Sequence, residues 1–85
     1  MAEVVIYSTT VCPFCIRAKA LLSKKQVAFQ EINLTEQPER REEMISLANG
    51  RRTVPQIFIN GQHVGGCDDL HELEATGELD GLLAK

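Results

Sequence analysis

Cysteine is scarce in this chain, basic charge is outweighed by acidic, and no long apolar run is present; each shortage removes a class of protein. Three cysteines occur in 85 residues, two of them inside one four-residue motif. A secreted scaffold of this length stapled by disulfides carries an even and larger set. Cysteine is therefore not a staple here, and a reducing, cytoplasmic setting is expected. No segment approaches the roughly 18 consecutive apolar residues of a membrane span, so no membrane partner is expected. The opening Met1-Ala2-Glu3-Val4 lacks the basic-then-apolar pattern of a secretory leader. Nine Lys and Arg against twelve Asp and Glu leave a net charge of −3, which argues against general affinity for nucleic acid. Repeats, low-complexity tracts and linker-like stretches are also missing, so residues 1–85 are read as one domain. With 44% hydrophobic and 25% charged residues, the balance suits a small globular protein.

What is present is a clear alternation of element types. Glu3 to Ser8 is apolar on both faces at Val4, Val5, Ile6 and Tyr7, which predicts a central strand covered by helices. Pro13 suits a first helical position. From there Phe14, Ala18, Leu21 and Leu22 form one helical stripe, closed by Lys24 and Lys25 at the negative end of the dipole. Val27 to Leu34 supplies a second strand. Strand, helix, strand implies parallel pairing through a right-handed crossover. A second helix opens at Pro38, turns Met44, Ile45 and Ala48 to the core and ends at Asn49-Gly50. Gln56–Asn60 and Gln62–Gly65 flank Asn60-Gly61, a hairpin signal. A third helix is expected from Asp68 or Asp69, capped through Asp69-x-x-Glu72 and stopped by Gly77. A short helix over Glu78–Ala84 completes the chain. The order predicts an α/β fold whose four-stranded mixed sheet has helices on both faces, the thioredoxin-like arrangement.

Cys12-Pro13-Phe14-Cys15 falls between the first strand and the first helix. Unpaired N–H groups and a partial positive charge at a helix N-terminus help a thiol there lose its proton. Only the thiolate attacks a disulfide, so Cys12, at the helix mouth, is expected to attack. Cys15, one turn deeper, is expected to resolve the mixed disulfide. The competing use of such a motif is half a zinc site, but Cys67, His63 and His71 do not form the second pair that zinc commonly takes. Thr53-Val54-Pro55 reads either as a turn entering a strand or as a loop whose Val54 backbone meets an extended, peptide-like substrate. Gly65-Gly66-Cys67-Asp68-Asp69 reads either as a turn and helix cap or as a site for close backbone approach and carboxylate binding. Arg40, Arg41, Arg51 and Arg52 form a basic face, from which one guanidinium could fork a ligand carboxylate. His63 and His71 are read as surface or hairpin residues.

Taken with Thr53-Val54-Pro55 and Gly65-Gly66-Cys67-Asp68-Asp69, the Cys12-Pro13-Phe14-Cys15 motif makes the chain resemble a glutaredoxin of the small bacterial dithiol type, essentially end to end. The resemblance implies a glutathione-dependent oxidoreductase acting on glutathionylated and disulfide-bonded proteins, with glutathione as co-substrate, no resident metal and a monomeric state. It implies that Cys12 becomes glutathionylated and is released by a second glutathione, and that Cys15 is needed for protein disulfides. It also implies that glutathione lies along Thr53, Val54 and a cis Pro55, with Phe14 stacking on it. Its γ-glutamyl end would meet Gly66, Cys67 and Asp68, and its glycyl carboxylate a cation for which Arg41 is the candidate. Two departures stand out. Ser8-Thr9-Thr10-Val11 supplies no cation before the nucleophile, so Cys12 must rely more on the helix terminus. Phe14 replaces a common tyrosine and can stack but not donate. Alternatives to this reading are a redoxin reduced by thioredoxin reductase and a paired subunit holding an iron–sulfur cluster through Cys12, which the stiff Pro13 disfavours.

Overall fold

The computed structural model describes residues 2–84. Strand β1 (Val4–Ser8) lies inside a four-stranded sheet of order β2-β1-β3-β4. It pairs in parallel with β2 (Gln30–Asn33) and antiparallel with β3 (Gln56–Ile59), which pairs in turn with β4 (Gln62–Gly65). Because side chains alternate along a strand, Val4 and Ile6 enter one core and Tyr7 the other. Ile57 and Ile59 of β3 join the first core, and Phe58 the second. Helices α1 (Pro13–Lys24), α3 (Cys67–Thr76) and α4 (Glu78–Leu83) supply Ala18, Leu21, Leu22, Leu70 and Leu79 to the first face. Helix α2 (Arg41–Leu47) covers the second with Met44, and Ala48 follows it there. Burying one such Leu or Met contributes about 1.5–3 kcal/mol relative to leaving it in water. The thioredoxin-like arrangement expected from the element order is thus the one observed.

Polar contacts pin the helices to this frame. The Tyr7 hydroxyl donates to Glu43 of α2; burial first, and that carboxylate second, push the Tyr7 hydroxyl up to about 12. Lys25, just past α1, pairs with Glu74 of α3 at 2.9 Å and Asp80 of α4 at 2.6 Å. Its role is therefore wider than answering the dipole of its own helix.

Three boundaries differ from expectation. The second strand begins at Gln30 rather than Val27, because a left-handed Gln26 (φ 59°) ends the turn after α1. Val27 and Phe29 still pack on the first core, but pairing with β1 starts only where Gln30 meets Val5. Pro38 opens a single 3-10 turn, Pro38–Arg40, and the α-helix proper starts at Arg41. The third helix starts at Cys67, ahead of Asp68 and Asp69, with Gly66 as its cap residue. Asp69 therefore occupies the third helical position and reaches back to accept the Gly66 N–H at 2.9 Å. Asp69 is the acceptor of that cap, not the start of one running to Glu72.

Candidate active site

Cys12 is the cap residue of α1, with extended backbone (φ −156°, ψ 97°), and Pro13 is the first helical residue. Proline has no N–H to waste at that position, and its fixed φ suits a helix start. The Cys15 N–H donates to Cys12 Sγ at 3.1 Å. That donor belongs to the first turn, where no carbonyl is available, so it remains for a sulfur that carries charge. The two cysteines are joined in a disulfide, with Cα atoms 5.2 Å apart, so this is the oxidised dithiol. Exposure separates the two sulfurs: Cys12 is 7% exposed and Cys15 1%. An incoming sulfur reaches Cys12 first. Around it Val11, Phe14 and Ile16 are exposed apolar residues, and the Arg17 guanidinium carbon lies 6.0 Å from the Phe14 ring centre.

The loop before β3 faces this helix end. The Val54–Pro55 peptide is cis, and the Val54 carbonyl oxygen lies 4.0 Å from Cys12 Sγ. An open cleft of about 260 Å³ runs from Phe14 past Thr53, Val54 and Pro55 to Gly66, Cys67 and Asp68. Seven of the residues singled out from sequence thus share one cleft beside Cys12. At its far end α3 presents the first-turn N–H groups of Cys67 and Asp68, which no side chain takes among the described residues. Backbone donors and the positive end of a helix together suit a carboxylate.

Arg41 is not part of that lining. Its Nη1 donates to the Arg52 carbonyl at 3.1 Å, so it steadies the approach to Thr53 from outside. The cation that does line the cleft is Arg51, whose Nη1 donates to Asp69 Oδ2 at 3.1 Å. Asp69 is the pivot of this end. The Gly66 N–H chiefly, with the Arg51 guanidinium adding to it, holds its carboxyl below the usual carboxylate range against the opposing effect of burial. In the sequence Arg51 is one of four equivalent arginines, and no local signal separates it from the others.

Cys67 lines the same cleft but is buried. Burial, more than the opposing charge of Arg17, pushes its thiol up. His71 Nδ1 lies 3.4 Å from that sulfur but 2.9 Å from the Cys67 carbonyl. Its proton goes to the carbonyl oxygen, the stronger acceptor, so His71 is no base for the thiol. In the reduced folded protein Cys67 should alkylate about tenfold or more slowly than Cys12, since the thiolate is the reactive species. Peptide mapping after timed iodoacetamide treatment measures this; equal labelling of both sites would show Cys67 to be open and ionised.

His63 is half-buried rather than a plain surface residue, with Nε2 2.7 Å from Gln56 Oε1. Among the described residues no group of three or more His, Cys, Asp or Glu side chains is placed to hold a metal ion.

The glutaredoxin family model matches residues 4–64. The chain is 59% identical over 83 residues to Glutaredoxin 3 of Escherichia coli (strain K12), covering 98% of this chain and 99% of that one. It is 58% identical over 84 residues to a glutaredoxin of Pseudomonas aeruginosa, covering 99% of each. Among solved structures, the glutaredoxin of Brucella melitensis superposes with a TM-score of 0.84 at 54% identity, covering 98% of this chain and 89% of that one. A buckwheat glutaredoxin–glutathione complex superposes with a TM-score of 0.88 at 32% identity, covering 98% and 77%.

Proposed function

The chain belongs to the glutaredoxin family and is a glutathione-dependent thiol–disulfide oxidoreductase; from that premise we propose that Cys12 attacks, Cys15 resolves and the cleft beside them holds glutathione. The observation that carries this reading is the meeting of three features at one place: a sulfur at a helix mouth, the Val54 carbonyl 4.0 Å away, and a cleft ending at a second helix N-terminus.

In the first half-reaction the Cys12 thiolate attacks the glutathionyl sulfur of a mixed disulfide. A Cys12–glutathione bond forms, the substrate's own S–S bond breaks, and the substrate leaves as a thiolate that takes a proton from water. The thiolate of a second glutathione then attacks the glutathionyl sulfur. Oxidised glutathione departs and Cys12 is returned as thiolate. For a protein disulfide the first attack leaves Cys12 bonded to one protein sulfur. Cys15 then attacks Cys12, releasing the second thiol and closing the disulfide seen in the structure. Two glutathiones reopen it.

Bound glutathione would run along Thr53, Val54 and Pro55 with Phe14 beside its central cysteine. Its γ-glutamyl carboxylate would face the N–H groups of Cys67 and Asp68, and Asp68 its ammonium. Arg51, which lines the cleft beside Asp69 at this same end, stands with those N–H groups as the cation for the γ-glutamyl carboxylate, whereas Arg41, held to the Arg52 carbonyl, lies outside the lining. We further assign residues 1–85 to one domain acting as a monomer in the cytoplasm, on glutathionylated and disulfide-bonded proteins.

Steady-state turnover of a glutathionylated peptide, with glutathione and its reductase, tests this assignment. Turnover should saturate with the peptide. Arg51→Ala should raise KM by about three- to tenfold, in line with losing one charged hydrogen bond, while Arg41→Ala changes it less. The reverse ranking would make Arg41, not Arg51, the cation that meets the ligand, and an absence of saturation would remove the glutathione cleft altogether.

A further inference from the structure

Gln56 is a polar side chain with no exposed surface, at the start of β3. Its Nε2 donates to both the carbonyl oxygen of Thr53, at 3.0 Å, and the Thr53 hydroxyl, at 3.2 Å. A carbonyl only accepts, so the amide nitrogen must face Thr53 and the amide oxygen must face away. That oxygen lies 2.7 Å from His63 Nε2, which must therefore carry the proton. The other ring nitrogen, Nδ1, lies 3.3 Å from the Asn49 side-chain amide nitrogen and accepts from it. The tautomer follows from the contacts alone. Burial chiefly, and the charge of Arg51 next, hold His63 below its ordinary value against a smaller opposing effect of Asp69, which fits a neutral ring. Phe58, directly across the hairpin, supports that ring with centroids 5.1 Å apart.

Asn49, His63, Gln56 and Thr53 thus form one chain of hydrogen bonds. It runs from the end of α2, across β4 and β3, into the wall of the cleft. Thr53 and Val54 belong to no strand, so side chains must hold their backbone in place. We propose that His63 is a positioning residue for the cleft: its Nε2–H fixes the Gln56 amide, and that amide fixes Thr53 and with it the Val54 backbone facing Cys12. Without the His63 donor, Gln56 Oε1 would be a buried acceptor with no partner, and the amide would gain by turning away from Thr53. As a role in ligand binding this rests on reading the cleft as the glutathione site; as a role in holding the loop it does not.

The test compares His63→Leu with His63→Gln. A glutamine amide nitrogen reaches about as far as ring Nε2, whereas leucine offers no donor. Two readouts are taken: hydrogen exchange at the Gln56 side-chain amide in the protein without glutathione, and KM and kcat for a glutathionylated peptide. His63→Leu should speed exchange of that amide, which in wild type is buried and bonded to Thr53, and raise KM about fivefold, with kcat and the alkylation rate of Cys12 nearly unchanged. His63→Gln should restore both readouts. If the leucine variant does not fold, His63→Asn, polar but too short to reach Gln56, makes the same comparison. Unchanged Gln56 exchange in the variant lacking the donor overturns the relay, as does a failure of His63→Gln to restore it. A wild-type protein that shows no saturation would instead sink the glutathione cleft, and Gln56 exchange would still decide the relay.

Discussion

Replacing Cys12 with serine should reduce turnover of a glutathionylated peptide to background, a loss of about a thousandfold or more. Cys15→Ser should keep that activity within about threefold, because only one protein sulfur is exchanged in that reaction. The asymmetry follows from position. Cys12 is the outer sulfur, it receives the Cys15 N–H at 3.1 Å, and it faces the Val54 carbonyl. Cys15 is 1% exposed and cannot meet a substrate sulfur before Cys12 does. A serine hydroxyl at position 12 is neither ionised at neutral pH nor able to form the mixed disulfide, so no part of the cycle remains. A serine at position 15 removes only the internal attack that closes the Cys12–Cys15 bond. The same two variants should therefore separate differently on a protein disulfide: both should fail, Cys15→Ser because the mixed disulfide accumulates. Mass spectrometry should show that adduct in Cys15→Ser and not in Cys12→Ser. Equal loss in both variants on the glutathionylated peptide would reject this division of labour.

The parts of this site legible in the sequence are those set by short-range chemistry. A proline at a first helical position after an apolar strand places Cys12 at a helix mouth whatever the rest of the chain does. Asn60-Gly61 between Gln56–Ile59 and Gln62–Gly65 fixes a hairpin, and both residues do take the positive φ values, 53° and 80°, that such a turn needs. The two-sided apolar character of Val4 to Tyr7 required helices on both faces, and β1 feeds both cores. Other parts depend on contacts between distant segments. Nothing local distinguishes Arg51 from Arg41; the difference arises because the chain returns at Asp69, 18 residues later, to meet Arg51. The sequence leaves His63 as a surface or hairpin residue; it lies in the hairpin, where the alternation of β3 sets Gln56 and Phe58 beside it. Asp68 and Asp69 resemble a cap and so point to a later start of α3 than the one at Cys67. The turn at Gly65 starts the helix earlier and leaves Asp69 to close the cap from inside.

That turn is where a single added methyl group should do the most structural harm. Gly65 has φ +123°, a conformation that L side chains rarely adopt. A Cβ there would collide with the Asp69 carboxylate and approach Arg51 Nη1 to 2.9 Å. Gly65→Ala should therefore cost stability in two ways, through backbone strain and through loss of the Asp69 contacts to Gly66 and Arg51. The sum is about 2–4 kcal/mol. Denaturant unfolding measures it, and a change under 0.5 kcal/mol, about that of an ordinary surface substitution, would show that the clamp can shift aside freely. The pH dependence gives an independent check with a defined sign. Asp69 titrates lower when folded than the unfolded value of about 3.9, so its contribution is fully present above that value. It is lost as pH falls through the folded value. Wild type should thus shed this contribution in acid, whereas Gly65→Ala, having already lost the Asp69 contacts, should show a flatter decline over the same range. The cleft should open in parallel, because Arg51 and the first turn of α3 both take their position from Asp69. KM for a glutathionylated peptide should rise more in Gly65→Ala than in Arg51→Ala, which removes only one partner of the clamp. An alanine variant as stable as wild type, with the same acid limb and an unchanged KM, would mean that Asp69 holds neither the helix start nor the arginine.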